Sequence, residues 1–559
     1  MTADVEMALQ IGTKFLADQQ QSSGCFQGQL SSMTFPTCAY AWTQFAMGNQ
    51  PESSIVNWIL SNQDPNGMWS LDASAIPNDN ATLFAQLILQ QIQKVKPDSK
   101  VQAALNKIPP LSINLGLIKL AYAHCGSYQW NRLTPPKFAI PMIKIAQQLA
   151  QAFPNLRTLL KPPKHLLPTP DFFYSDTFNN LFIAEQQTLV PAMLLLELEG
   201  QKRAETINDL FLWIQSKMLS NGSWFCVNYI TALATIALIE YSKYSADSHA
   251  SSLTKQSQLW LEQTRNPDGG CREAINLNIW DTSLSLIALA ETRNPNYKGH
   301  ILEGTKWLAK HQSKEGGWAF SGLLDGGLPC DADDTALAVL ALLKSGFPIS
   351  CDTIQNGLNW LMKNQSIDGS WSTYIPGEGD VGCVSITAHA IEVLLEVDGY
   401  QKQVDQAVTW LETQISRDGF WDDLWLSKRT YGTACAICAI VKAGYNNIQA
   451  IKDGIKWLES AQNPDGGWGE DMFGNQISST VEQTAWSTYA LLIADHQNLS
   501  ARRGLEFLTS QQNSDGSWNA SCVGIYWEII GGYIDPIYAS VFPILALNAY
   551  HHGENSTQN

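Results

Sequence analysis

Three carboxylates in four residues stand at Asp331-Ala332-Asp333-Asp334, and the stretch that follows, Thr335 to Leu343, is almost wholly apolar. Like charges crowd one another, and apolar surroundings strip carboxylates of water. Both effects push a carboxyl pKa upward. One of the three could then stay protonated near neutral pH and act as a Brønsted acid. A second reading is an acidic helix start, with Asp334 as the cap or a first-turn residue and the anions held by the helix dipole. His389, in Thr387-Ala388-His389, is a titratable group on an apolar helical pattern. It is either a satisfied core histidine or a partner that orients an acid proton.

The rest of the composition narrows the chemistry. The chain has 559 residues and a net charge of −17, from 52 acidic and 35 basic residues. That excess argues against nucleic acid, whose phosphates need basic patches. Twenty Trp, 17 Tyr and 19 Phe supply π faces that attract cations as well as buried area. The 11 Cys show no metal-ligand frame. Cys435 and Cys438 form a lone CxxC inside an Ala/Ile/Val-rich helix pattern, which reads as structural. The start, residues 1–21, is polar and amphipathic, unlike a signal peptide. No apolar run reaches the roughly 18 residues of a membrane span. The expectation is a cytoplasmic protein with reduced thiols. Peripheral membrane contact and oligomeric state are left open.

The elements that must hold these residues come as a repeat. Trp-Leu is followed by Gln, then by a turn of Asp-Gly-Gly/Ser-Trp type. Copies start at Trp260, Trp307, Trp360, Trp410, Trp457 and Phe507, spaced 47, 53, 50, 47 and 50 residues apart. In each unit an amphipathic helix ends at Trp-Leu. A turn with Asn/Asp and Gly follows, and then a Thr-led, small-residue helix that is apolar nearly all round. Two helices per unit, one buried and one half-exposed, predict concentric layers. Six pairs would close an (α/α)6 barrel, with an open solenoid as the alternative. The turn recurs at Gln63–Trp69, at Asn221–Trp224 and, degraded, at Gln21–Phe26. Pro-rich breaks fall at Thr134–Lys137 and Lys161–Pro170. The fold class read here is all-α, with two (α/α)-barrel domains. The expected domains are an N-terminal helix, 1–24, packing on the second barrel; a first barrel, 25–244; and a complete barrel, 245–559.

The Gln-x-x-Asp-Gly-x-Trp repeats together with Asp-x-Asp-Asp-Thr-Ala resemble the class II terpene cyclases of the squalene-hopene cyclase family over most of the chain. The resemblance implies β and γ barrel domains, QW repeats, γ inserted after the first helix of β, and a cavity between the domains. It implies that Asp333 is the general acid, that Asp331 and Asp334 tune it, and that His389 is hydrogen-bonded to it. It carries over as cavity aromatics Phe320, Tyr374, Trp425 and Tyr431, and near the C-terminus Trp527, Tyr533 and Tyr538. These would stabilise carbocations by cation–π attraction in a dry pocket, or else pack the core. The repeat tryptophans 318, 371, 421, 468 and 518 are expected to tie helices together instead.

Three departures from the family pattern bear on substrate. Ser385 stands where the family has an acid four residues before the histidine. Phe182–Pro191 lacks the family's Trp. Asp535 replaces a Tyr. With the short chain, these argue against squalene. The reaction class needs no cofactor, and Mg²⁺ enters only if the substrate carries a diphosphate. Basic residues for a diphosphate are few: Lys428, Arg429, Arg157, Lys161 and Lys164. The favoured substrate is therefore a geranylgeranyl chain on an aromatic head group, as for cyclases of the merosterolic acid synthase kind. Geranylgeranyl diphosphate is the alternative. A Zn-dependent prenyltransferase subunit, an (α/α)6 glycosidase with separated carboxylates and a non-catalytic repeat binder fit less well. His389 lacks a suitably spaced Cys partner for zinc, a clustered Asp triad and an apolar inner layer argue against the glycosidase, and a repeat binder does not explain an acid cluster in only one of six repeats.

Overall fold

The computed structural model describes residues 2–136, 165–324, 326–374, 381–526 and 531–557. Packing divides the chain into two units, one of residues 1–30, 276–528 and 532–559, the other of residues 31–275 and 529–531. The sequence places the breaks at 24/25 and 244/245 instead. The difference has a physical cause. Helix Ser248–Gln263, which ends in the Trp260 copy of the repeat, packs on helix Asn228–Ser245. Beyond it, Met33 N donates to Cys271 O at 2.9 Å and Arg265 pairs with Glu52 at 2.8 Å. The segment up to residue 275 is thereby held in the unit of residues 31–275.

In the larger unit six inner helices form a closed ring. They are Asn278–Glu291 (the Asp281 helix), Ala332–Lys344 (the Asp333 helix), Val384–Leu395 (the His389 helix), Lys428–Lys442 (the Tyr431 helix), Val481–Ala494 (the Trp486 helix) and Tyr538–Thr557 (the Phe542 helix). Each packs on the next, and the last returns to the first. Outside them lie Lys298–Lys310, Asp352–Lys363, Gln401–Gln414, Gln449–Ala461 and Leu499–Ser510. The sixth outer place, expected for the Trp260 copy, is taken by Thr2–Asp18, which packs against the Phe542 helix. The unit is an (α/α)6 barrel. The smaller unit repeats the theme: Thr34–Ala46, Asp79–Val95, Gly116–His124, Ile183–Glu199 and Asn228–Ser245 form an inner layer, with further helices outside. Two short antiparallel hairpins, Trp468–Glu470 with Gln476–Thr480 and Cys522–Ile525 with Gly532–Ile534, were not expected from the helical pattern.

The repeat residues lock one unit to the next. The indole N–H of Trp371 donates to Leu361 O at 2.8 Å, satisfying a carbonyl at the end of the preceding outer helix. Trp318, Trp421, Trp468 and Trp518 do the same with Leu308, Leu411, Leu458 and Leu508. The Thr near the start of the Asp333 and His389 helices accepts from the turn: Trp318 N to Thr335 Oγ1 is 2.9 Å and Trp371 N to Thr387 Oγ1 is 3.0 Å. Gln365 Nε2 reaches both Gly369 O of its own turn and Gln403 O of the next outer helix. In the Trp410 copy the Gln falls one residue early. Gln414 bonds only Thr413 locally, and Ile415 occupies the bridging position.

All 11 cysteines are free thiols, and Cys435 and Cys438 both lie within the Tyr431 helix. Among the described residues no helix is long and apolar enough to cross a membrane.

Candidate active site

Each inner helix begins at the same end of the barrel, so the repeat threonines form a level. Positions two before and two after each Thr lie one turn apart on a single face, opposite the Thr itself. On those positions the structure brings together Trp280, Asp333, His389, Tyr431, Cys435 and Trp486. Asp333 Oδ1 lies 2.6 Å from His389 Nδ1. On the far side of the imidazole, Nε2 is 3.4 Å from Tyr431 OH and 3.9 Å from Cys435 Sγ. Asp333 is 7% exposed and His389 9%. Asp333 Oδ2 has no hydrogen-bond partner among the described residues.

Asp331, not Asp334, is the helix cap. Its backbone is extended and its Oδ1 accepts Asp334 N at 2.7 Å. Burial raises Asp331 to about 7 despite that bond. Burial, then the neighbouring Asp331, pushes Asp334 well above the carboxylate range, and its Oδ1 is buried without a hydrogen-bond partner among the described residues. Burial also raises Asp333, while the His389 imidazole draws it down and Asp423 raises it further. His389 is raised: burial opposes its charge, and Asp333 outweighs that. The helix dipole would lower all three carboxyls. Desolvation wins.

Around this group runs a succession of ring contacts. Trp280 lies 6.0 Å from His389, which lies 6.3 Å from Tyr431. Tyr431 meets Trp486 at 4.9 Å, and Trp486 meets Phe542 at 5.3 Å. Phe542 meets Tyr538 at 5.9 Å and Tyr538 meets Tyr533, whose hydroxyls are 3.0 Å apart. Tyr526 lies 4.5 Å from Tyr533. Of the aromatics picked from sequence, Tyr431, Tyr533 and Tyr538 belong to this wall. Trp425 is half-buried on the loop before the Tyr431 helix, its indole donating to Thr373 Oγ1 at 3.0 Å. Tyr374 is buried on the loop before the His389 helix, and Phe320 is half-buried before the acid motif. Trp527 lies outside the described residues, as do Arg157, Lys161 and Lys164.

The sequence reading missed Trp280, Trp486, Phe542 and Asp423. Trp280 and Trp486 were findable: they stand at Thr282 minus two and Thr484 plus two, as Asp333 and His389 stand to Thr335 and Thr387. Asp535 and Asp281 converge on the backbone of Gly28: Gly28 N donates to Asp281 Oδ2 at 2.9 Å, and a Cβ there would meet Asp535 Oδ1 at 1.8 Å. Among the described residues no group of three or more His, Cys, Asp or Glu is arranged to hold a metal ion.

Comparison with known proteins agrees with this architecture. The family model for the squalene-hopene cyclase C-terminal domain matches residues 275–379 and 378–552, the barrel that carries Asp333 and His389. A probable squalene–hopene cyclase of Sinorhizobium fredii is 28% identical over 260 residues, covering 39% of this chain and 40% of that protein. The chain thus aligns with about two fifths of that relative's length. The squalene–hopene cyclase of Alicyclobacillus acidocaldarius is 25% identical over 572 residues, 89% of each chain. The solved ent-copalyl diphosphate synthase of Streptomyces platensis shares the fold with a TM-score of 0.61 at 17% identity, covering 98% of this chain and 100% of that one. The chain belongs to the class II terpene cyclases of the squalene-hopene cyclase-like family.

Proposed function

We propose that this protein is a protonation-initiated terpene cyclase that folds a linear polyprenyl chain into fused rings. The observation that carries the reading is the buried Asp333–His389 contact inside a wall of aromatic rings. Asp333 is the acid. Its Oδ2 holds the proton, and His389 Nδ1 donates to Oδ1 and so stabilises the carboxylate left behind. The Oδ2–H bond breaks as the terminal alkene's electron pair forms a C–H bond, leaving a tertiary cation. Neighbouring alkenes then attack in turn, each closing a ring and moving the positive charge along. Loss of a C–H proton to water gives the final alkene, and a proton from solvent restores Asp333. Tyr431, Trp486, Phe542, Tyr538 and Tyr533 present π faces to the travelling charge. Phe320, Tyr374 and Trp425 complete the lining. Asp331 and Asp334 keep the neighbourhood proton-rich. The larger unit is the β-type barrel and the smaller one the γ-type.

The substrate we favour is a geranylgeranyl chain on an aromatic head group. Arg429, one of the few basic candidates, is already engaged. Its guanidinium donates to Gly474 O at 2.9 Å and sits 4.5 Å from the Phe420 ring. One observation favours geranylgeranyl diphosphate as a second reading: Lys428, half-buried three residues from Trp425, has no ion-pair partner among the described residues. Incubating the protein with geranylgeranylated dihydroxybenzoate and, separately, geranylgeranyl diphosphate, with and without Mg²⁺, decides between them. The active pair yields a cyclic product isomeric with its substrate by mass spectrometry.

A further inference from the structure

Asp423 lies in the loop between the fourth repeat turn and the Tyr431 helix. It is 4% exposed, and both of its oxygens are filled. Oδ1 accepts Ser385 N at 3.1 Å and the Cys383 thiol at 3.3 Å. Oδ2 accepts Trp425 N at 3.0 Å and Leu426 N at 3.4 Å. Four donors converging on one side chain fit a carboxylate, which accepts only.

The bonds lead to both members of the acid pair. Ser385 is in the first turn of the His389 helix, one turn before His389. Cys383, at the cap position of that helix, makes no capping bond. Asp423 supplies the missing cap from another repeat and places negative charge at the helix's positive end. On its other side, Asp423 fixes the backbone of Trp425. The Trp425 indole donates to Thr373 Oγ1, and Thr373 O accepts Ala332 N at 2.8 Å, the residue beside Asp333. One carboxylate thus ties the His389 helix, the Trp425 loop and the start of the Asp333 helix together.

We propose that Asp423 is a positioning residue that fixes the Asp333–His389 contact and holds the transferable proton on that pair. The proposal rests on the cyclase reading and deepens it. Other titratable groups face the pair. They are Asp331 and Asp334 on the Asp333 helix, Glu392 and Cys383 on and beside the His389 helix, and Tyr431, Cys435 and Lys442 on the Tyr431 helix. Asp423 itself raises the proton affinity of Asp333 and of His389 alike. Removing its charge therefore lowers both, and the protonated pair is lost at lower pH.

The test is a pair of titrations on Asp423→Asn and the unmodified protein. The first needs no substrate. ¹⁵N-histidine NMR, with the His389 signal assigned by its loss in His389→Gln, follows the imidazole. The signal is expected to titrate about half a unit or more lower in Asp423→Asn. The second is the pH profile of kcat with whichever polyprenyl substrate is turned over. Its alkaline limb moves to lower pH, and kcat falls about tenfold or more with a smaller change in KM. An unshifted His389 titration in a folded Asp423→Asn protein overturns the proposal, whatever the activity. If Asp423→Asn does not fold, Thr373→Val serves. It cuts the Trp425 link and keeps the charge, so it must lower kcat without moving the limb; an unchanged kcat overturns the proposal. Absence of turnover by the unmodified protein would contradict the cyclase reading alone, because the NMR titration stands apart from it.

Discussion

At the scale of single residues, burial and a charged partner pull Asp333 in opposite directions. Burial is the larger influence, so the acid stays above the ordinary carboxylate range. The rate of a reaction that needs protonated Asp333 is therefore expected to be flat at acidic pH and to fall as pH rises through that raised value. A kcat profile checks this, and a rate that rises with pH would contradict it. A second buried acid tests the same physics through stability. Glu273 in the smaller unit is fully buried, with Oε2 unpartnered among the described residues, and desolvation lifts it to about 8. Its unfolded counterpart ionises near 4.3. Between those values the unfolded state releases a proton that the folded state keeps, so stability is lost as pH rises. Glu273→Gln does not titrate. Its stability relative to the unmodified protein should grow by about 1 kcal/mol or more from pH 5 to pH 7 in urea unfolding. The Asp333–His389 pairing was legible only through the family resemblance; that both residues break an apolar pattern left His389 readable equally as a core histidine. Asp423 was not, because its partners Cys383 and Ser385 lie 40 and 38 residues away and nothing local marks the meeting.

At the scale of elements, the repeat turn does two jobs at once. Gly369 has φ +95°, and a Cβ there would stand 2.6 Å from Gln406 O of the next outer helix. Only glycine meets both demands. Gly369→Ala should cost about 2–3 kcal/mol, from left-handed strain and forced separation of the two helices, measured by chemical denaturation. Trp371→Phe keeps most of the buried area but removes the indole donor from Leu361 O, which retains only the Asn364 N–H at 3.1 Å, for a loss of about 0.5–1.5 kcal/mol. The helix pairs were legible because the 3.6-residue period and the turn signals recur together. The inward positions were legible only in part. The repeat threonine marks them, but its phase becomes visible once Thr335 and Thr387 are seen to face the turn. The two hairpins were not legible: Gln476–Thr480 is largely exposed and has no apolar alternation to mark it.

At the scale of the whole chain, the larger barrel is closed by its two ends in sequence. Thr2–Asp18 fills the outer place beside Leu499–Ser510. Gln512 Nε2 donates to Ala8 O at 3.0 Å, repeating the bridge that Gln365 makes to Gln403. Gly12 lies against the Trp518 ring, where a Cβ would meet it at 2.7 Å. Removing residues 1–18 would expose the Phe542 helix and the Trp518 turn. The expected outcome is loss of cooperative unfolding or a Tm lower by about 10 °C or more, by calorimetry. The ring of six was legible from the repeat count, but its membership was not: the Trp260 copy belongs to the other unit, because long-range partners such as Met33 and Glu52 decide where that helix packs. The central claim is that Asp333 gives its proton to a polyprenyl alkene. The direct measurement is turnover by purified Asp333→Asn beside the unmodified protein, on geranylgeranylated dihydroxybenzoate and on geranylgeranyl diphosphate, with circular dichroism confirming the fold. The account predicts a cyclic isomer from the unmodified protein and a rate at least about a hundredfold lower in a folded Asp333→Asn protein. Full activity in that variant would contradict it.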